Sequence, residues 1–142
     1  MDDYRKYWVG FNLVKGIGAA RLRALLQHFG DIEAAWNASP QALQSTGLGN
    51  KVIETFLQVR REVDLDSVMQ RIASKGITVL TWEEDAYPRR LKEIEQPPPV
   101  LYLRGSLLPA DEWAVAIVGT RRITAYGRQV TEEVATTLAR SG

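Results

Sequence analysis

The sequence lacks several features that define common classes of protein. Its 142 residues contain no cysteine, which excludes a disulfide framework and a thiolate metal site. The single histidine, His28, is predicted near a helix end, and no serine or carboxylate constellation surrounds it. No apolar run approaches membrane-spanning length, and residues 1–6 do not resemble a signal peptide. We therefore expect a cytoplasmic protein without a catalytic site, a metal, a cofactor or a membrane partner.

A strong charge of one sign is also missing. Eighteen lysines and arginines stand against 17 aspartates and glutamates, so the formal net charge is +1. This balance excludes a whole-chain attraction for nucleic acid, and any basic site has to be local. Apolar residues make up 45% of the chain, which is enough for a core. The length suits one ordinary domain, or a small domain with part of another.

The most distinctive stretch is residues 114–142. Ala114–Val118 is a short apolar run rich in β-branched residues, which predicts a strand buried on both faces. Residues 119–124 follow as a turn, and Thr124 is placed to cap a helix that begins at Ala125. Apolar residues then recur every four positions, which predicts a helix with one stripe packed on a sheet: Tyr126, Val130, Val134 and Leu138.

This turn has the properties of a phosphate site. Unpaired amides and the positive end of the helix dipole converge at the helix start. Arg121, Arg122 and Arg128 add positive charge there, and no acidic residue lies between Ala114 and Thr131. Arg121 stands where the dinucleotide fingerprint has its second glycine, which opposes a pyrophosphate cofactor lying against the backbone. The alternative is an ordinary strand–turn–helix with solvated arginines.

Residues 1–76 predict a helical domain. An aromatic face at helical spacing predicts the first helix and favours core packing over base stacking: Tyr4, Tyr7, Trp8 and Phe11. Five more helices follow, marked by start or stop residues at Gly30, Asp31, Ser39 and Asp64. This range carries ten basic and eight acidic residues, so its non-specific attraction for DNA is weak.

One pattern occurs twice in the helical part, as Gly16-Ile17-Gly18 and Gly47-Leu48-Gly49, each before an amphipathic helix. It resembles the helix–hairpin–helix motif, in which the next helix presents free amides to a phosphate. We predict hairpin contacts at Gly16, Gly18, Gly47, Gly49 and Lys51, and positive φ angles at Gly18 and Gly49. A purely structural joint or a protein-docking role is the alternative.

After Gly76 the composition becomes strand-like. Ile77–Thr81 and Val100–Leu103 are predicted strands, separated by a short helical turn and by three consecutive prolines that fix an extended lead-in. With the strand at 114–118 they suggest the opening of a parallel sheet. The predicted fold is thus mixed: a helix–hairpin–helix (SAM-like) domain over 1–76, then the first strands and helix of an incomplete Rossmann-like domain over 77–142.

Two segments resemble a known family. Residues 115–127, Val-Ala-Ile-Val-Gly-Thr-Arg-Arg-Ile-Thr-Ala-Tyr-Gly, resemble the signature of the DprA/Smf family, the bacterial DNA-processing protein A. Residues 87–105, Tyr-Pro-x-x-Leu-x-x-Ile-x-x-Pro-Pro-Pro-Val-Leu-Tyr-x-x-Gly, resemble its second signature. The family also places a small helical domain in front, so the resemblance covers nearly the whole chain.

The resemblance implies a protein that binds single-stranded DNA taken up in natural transformation, protects it, and helps to load the RecA recombinase without being an enzyme. The family's DNA-binding pocket includes the arginine that matches Arg121. The rest of the Rossmann-like domain, a further basic pocket residue and the homodimer interface are expected beyond Gly142, so this chain alone should bind DNA poorly or not at all. Together with the turn, the resemblance gives a predicted DNA- or phosphate-binding site of Gly119, Thr120, Arg121, Arg122, Thr124, Tyr126, Gly127 and Arg128.

Two other classes of function remain open. One is a nucleotide-binding Rossmann-type enzyme resembling phosphoribohydrolases, which would need further glycine-rich phosphate loops and a catalytic carboxylate–arginine set. The other is an interaction module in which residues 1–76 dock a partner through the exposed part of the aromatic helix.

Overall fold

Six helices follow one another in the first half of the chain, in a computed structural model that describes residues 4–141. Each lies where the sequence predicts it, because apolar spacing and start or stop residues agree at each one. Their bounds are α1 Arg5–Leu13, α2 Ala19–Phe29, α3 Ile32–Asn37, α4 Pro40–Gln44, α5 Asn50–Glu62 and α6 Leu65–Ser74.

The predicted capping residues are confirmed by their hydrogen bonds. Asp31 accepts from the backbone amide of Ala34 at 2.7 Å, and Ser39 accepts from that of Ala42 at 3.1 Å. Asp64 accepts from the first-turn amides of α6 at 3.1 and 3.3 Å. Gly30 ends α2 with a φ of 89°. These short-range contacts define where the helices begin and end.

An aromatic cluster forms the centre of this helical part. The rings of Phe11 and Phe56 stack at 5.2 Å, and Trp36 meets both edge-on at 5.2 and 5.1 Å. Trp8 and Phe11 are buried, as the helical spacing predicts, whereas Tyr4 is 42% exposed. Tyr4 is the residue before α1, so its ring does not continue the buried face. The predicted aromatic face is therefore correct from Tyr7 onward.

Two strands, β1 Ile77–Thr81 and β2 Val100–Arg104, pair antiparallel with Ile77 opposite Arg104 and Thr81 opposite Val100. Both strands were predicted, but the expectation that they open a parallel sheet is wrong. Parallel pairing needs a crossover element, usually a helix that spans the sheet. The connection here contains only the four-residue α7, Arg89–Lys92, and brings the chain back in the opposite direction. The sheet of the described residues is two-stranded and antiparallel.

The chain divides after Ser106 into a first unit and a second unit that begins at Leu107. The second contains a 3₁₀-helix, Pro109–Trp113, and the long helix α8, Ala125–Ser141. Between them, 114–118 runs without strand pairing, so the strand predicted there is absent from the part of the chain that the structure describes. A strand exists only where a neighbour satisfies its backbone groups, and this unit supplies none.

Side chains of the predicted strand and of α8 nonetheless share one apolar cleft, lined by Trp113, Val115, Ile117, Ala135 and Leu138. The predicted helix is confirmed, although its apolar stripe stays partly exposed. Gly142 follows this helix in the sequence, where a glycine typically forms the C-cap, but it lies outside the described residues. The domain boundary predicted after Gly76 concerns the intact protein and stays a prediction.

The loop after β1 is held by one half-buried carboxylate. Glu84 accepts from Arg5 Nε at 2.9 Å and from the backbone amide of Thr81 at 2.6 Å. Burial raises the pKa of the Glu84 carboxyl, but the hydrogen bonds from Arg5 and Thr81 outweigh it, so the pKa lies below the ordinary 4.5. Glu84 therefore ties helix α1 to the turn that carries Trp82.

This arrangement predicts an acid-dependent contribution to stability. Because the pKa of Glu84 is lowered by folding, its contribution is present above pH 4.5 and is lost as the pH falls through the lowered value. Glu84→Gln should reduce the free energy of unfolding by about 1 kcal/mol near neutral pH. Urea unfolding of both proteins across the acid range should show this difference shrinking below pH 4.5. A constant difference, or the same loss with exposed Glu54→Gln, would contradict the assignment.

Candidate nucleic-acid interface

The turn before α8 is shaped by a threonine hydroxyl. Thr120 Oγ1 accepts from the backbone amide of Arg122 at 3.0 Å and lies 3.3 Å from its carbonyl oxygen. This contact bends the chain at Arg121 and Arg122 directly before the helix. An added Cβ at Gly119 would meet nothing within 4 Å, so its missing side chain is not required by packing among the described residues.

Thr124 caps α8, as predicted. Its Oγ1 accepts from the amide of Gly127 at 3.1 Å, and its carbonyl accepts from the amide of Arg128 at 3.0 Å. A Cβ at Gly127 would lie 3.2 Å from that hydroxyl, so the glycine gives the cap room. The amides of Ala125 and Tyr126 have no intrahelical acceptor, as at any helix start. They are the donors that an anion would meet here.

The charged side chains of this turn are exposed. Arg121, Arg122 and Arg128 form no ion pair with any residue in 4–141. Tyr126, on the same first turn, is 76% exposed. The structure thus brings all eight predicted turn residues into one short segment, with three guanidinium groups and a ring open to solvent.

The two Gly-x-Gly turns have one geometry. The first glycine of each is left-handed, with φ of 101° at Gly16 and 79° at Gly47. The second, Gly18 or Gly49, is the N-cap of the next helix, with φ of −104° or −67°. The prediction of positive φ at Gly18 and Gly49 is therefore wrong. The chain reverses at the first glycine, one residue before the apolar residue between the two glycines, Ile17 or Leu48. The second glycine already has the extended backbone of an N-cap.

Both turns bury the apolar residue between their glycines, and both lead into a helix without a side-chain cap. Ile17 and Leu48 are buried between the glycines. Helices α2 and α5 begin without a side-chain cap, whereas α3, α4 and α6 each have one. Their first-turn amides are consequently left without a side-chain acceptor.

The two turns also adjoin each other. A Cβ at Gly16 would lie 3.3 Å from Cγ2 of Val52, which follows the second turn on α5. Arg21 donates to the carbonyl of Gly16, so its guanidinium fastens the first turn. Lys51 is exposed in the first turn of α5. The candidate hairpin residues thus share one end of the first unit, separately from the Gly119–Arg128 turn.

Sequence reasoning missed a cleft on the first unit that is lined by Arg23, Leu26, Gln27, Trp82, Lys92 and Pro97. The available signal was that Arg23, Leu26 and Gln27 are three and four residues apart and so share one face of α2, where the cation Arg23 interrupts an apolar stripe. Over residues 4–141, no group of three or more acidic or histidine side chains is arranged to hold a metal ion. None of the described helices has the length and apolarity needed to cross a bilayer.

The elements together define a mixed, helix-rich chain with a small antiparallel sheet and a basic, capped helix start. Residues 78–142 match the family model described as DNA recombination-mediator protein A. The chain is 38% identical to protein Smf of Synechocystis over 99% of its length, and 30% identical to DNA processing protein DprA of Bacillus subtilis over 75%. No solved structure matches it.

The chain therefore belongs to the DprA/Smf family. It spans 37% of the Synechocystis relative and 39% of the Bacillus subtilis relative, so it corresponds to well under half of either protein.

The hairpin geometry predicts that the same substitution has a large effect at the first glycine of a turn and a small effect at the second. Gly47→Ser should reduce the free energy of unfolding by about 1–2 kcal/mol, because a side chain disfavours the left-handed conformation. Gly49→Ser should change it by only a few tenths of a kcal/mol, because serine suits an N-cap with a negative φ. Neither position has an atom within 4 Å of an added Cβ, so packing does not confuse the comparison. Equal urea midpoints for the two variants would contradict the assigned geometry.

Proposed function

We propose that this chain contributes to single-stranded DNA binding in a DprA/Smf protein, with the turn from Gly119 to Arg128 as a phosphate-contacting segment. The observation that carries the proposal is the cluster of three exposed arginines at a helix start, with no acidic residue from Ala114 to Thr131. Phosphate contacts of this kind position a strand without reading its sequence.

Each turn residue has a role in this proposal. Arg121, on the bend, offers a planar fork of donors to a phosphate or a base edge. Arg122 and Arg128 add charge on either side of the helix start. Thr120 and Thr124 shape the turn and cap the helix, and the exposed Tyr126 ring provides a face on which a base can stack. Gly119 and Gly127 keep the backbone accessible.

The glycine turns of the first unit are a second candidate contact. Gly16, Gly18, Gly47, Gly49 and Lys51 lie at adjoining helix starts that lack side-chain caps. A strand backbone could receive amide hydrogen bonds there. The burial of Ile17 and Leu48 fits a purely structural joint equally well, which is why the arginine turn carries the main proposal.

The remaining parts of the proposal concern the whole protein. We propose that residues 114–118 pair as a strand of a Rossmann-like sheet in the intact protein, with a helical domain over 1–76 and the Rossmann-like domain, including the antiparallel β1 and β2, from 77 onward. The unpaired apolar segment beside α8 supports this, since Val118 is 90% exposed. We also propose a non-catalytic, cytoplasmic role in transformation, with RecA as partner and a homodimer as the working form. The names of the matched family and relative support the DNA-recombination and DNA-processing part of this role.

The two alternative functions have less support. An enzyme of the phosphoribohydrolase type needs further glycine-rich phosphate loops, which the sequence does not contain. Docking through the exposed part of the aromatic helix has the exposed Tyr4 and Leu13 to use, since Trp8 and Phe11 are buried in the first unit. Saturable binding of a mononucleotide at the arginine turn, tighter than binding of an oligonucleotide, would favour the enzyme.

The proposal is tested by an arginine substitution with a control on the same helix. Arg121→Ala should weaken binding of a labelled single-stranded oligonucleotide for all sequences alike, and lower the salt slope by roughly 0.7. Arg140→Ala removes an exposed arginine from the last turn of α8 and should leave both unchanged. Anisotropy titrations across a salt series measure both quantities, in this chain and in a version extended to the relatives' length.

The two lengths separate the candidate sites. Binding only by the extended version, with the Arg121 effect, would support a site on the sheet side. Comparable binding by the 142-residue chain that is unaffected by Arg121→Ala would reject the turn and favour the glycine hairpins.

A further inference from the structure

A cleft of about 280 Å³ lies on the first unit, away in sequence from the arginine turn. Helix α2 contributes Arg23, Leu26 and Gln27, which share one face because they are three and four residues apart. The loop after β1 contributes Trp82, and the segment leading to β2 contributes Lys92 and Pro97. Three separate parts of the chain therefore converge on this cleft.

The cleft has a planar aromatic surface that is held in place. The half-buried Trp82 ring meets Trp8 edge-on, with ring centroids 5.6 Å apart. The guanidinium carbon of Arg23 lies 5.3 Å from the centroid of the Trp82 ring. Because this guanidinium lies over the ring, a nucleobase would stack on the guanidinium plane and on the part of the indole face that it leaves open, through π stacking and cation–π attraction.

The charge around this surface is positive. Lys92 Nζ donates to the Glu84 carbonyl at 3.1 Å, which places the ammonium at the cleft. No acidic side chain lines the cleft, and the nearby Glu84 carboxylate is engaged by Arg5 and by the amide of Thr81. Arg23 and Lys92 thus place two cations beside the apolar lining residues Leu26, Trp82 and Pro97.

We propose that this cleft binds one nucleotide, with the base against Trp82 and Arg23 and the phosphate attracted by Arg23 and Lys92. The side-chain amide of Gln27 supplies a donor and an acceptor for a base edge. The volume is at the small end of ligand sites, which suits a single base. Free mononucleotide and single-stranded nucleic acid present this same chemistry. The inference rests on the cleft alone and not on the turn from Gly119 to Arg128.

The test follows the four tryptophan indole N–H resonances by NMR in a chain that also carries Arg121→Gln, so that the turn is impaired. The probes are thymidine monophosphate, a short oligothymidylate, and an acidic peptide that contains phenylalanine. We expect the Trp82 indole and the Gln27 side-chain amide to shift saturably with both nucleotide probes, while Trp36 and Trp113 do not. A strand site is distinguished by tighter binding of the oligothymidylate than of the monophosphate.

Substitutions with matched controls locate the contacts. Trp82→Leu should weaken nucleotide binding roughly five- to hundredfold, from the loss of one stacked base. Since Trp82 also packs on Trp8, the exposed residues provide a second test that does not depend on core packing. Arg23→Gln or Lys92→Gln should each lower the salt slope for the oligonucleotide by roughly 0.7. Arg61→Gln and Lys75→Gln, exposed cations elsewhere on the same unit, should not.

Three results would overturn the proposal. The first is no saturable shift of the Trp82 indole with either nucleotide probe. The second is an equal loss of binding in the Arg61 and Lys75 controls, which would mean diffuse charge attraction. The third is tighter saturable binding of the acidic peptide than of the nucleotides, which would make the cleft a protein-docking site.

Discussion

The close approach of Trp36 to helix α1 is the contact on which the first unit depends. A Cβ at Gly10 would lie 2.6 Å from Cζ3 of Trp36, closer than real side-chain contacts allow. The missing side chain lets the indole reach the helix backbone and meet Phe11 and Phe56 edge-on. These aromatic contacts join α1, α3 and α5 around one centre, and a side chain at Gly10 would push Trp36 out of it.

That centre positions both candidate surfaces of the first unit. Helix α1 carries Trp8, which packs on Trp82, and Arg5, which holds the Glu84 carboxylate in the same loop. The cleft lined by Arg23 and Trp82 is therefore built on a loop that two residues of α1 hold in place. At the other surface, Val52 of α5 contacts the turn at Gly16, so packing of α5 in the core also sets the spacing of the glycine hairpins.

Local signals predicted most of the fold, and non-local pairing accounts for what they missed. Capping by Asp31 or Thr124 needs only a side chain and amides a few residues away, so sequence spacing suffices. Strand direction depends on how residues 82–99 return, and apolar runs carry no such information. The left-handed angle at Gly16, and not at Gly18, depends on where the chain reverses. The cleft brings α2 together with Trp82, Lys92 and Pro97, which lie so much later in the sequence that no local pattern predicts their contact.

A nearly neutral chain can hold anionic ligands only if its acids are kept away from, or engaged at, the sites that bind them. At the arginine turn the acids are absent for the whole stretch from Ala114 to Thr131. At the cleft no carboxylate is among the lining side chains, and the oxygens of Glu84, in the same loop as Trp82, are occupied by contacts that also lower its pKa. Arg5 offsets that charge locally, so the field from Arg23 and Lys92 is not cancelled. Because exposed charges are screened within about 8 Å at physiological salt, this local separation matters more than the net charge of +1.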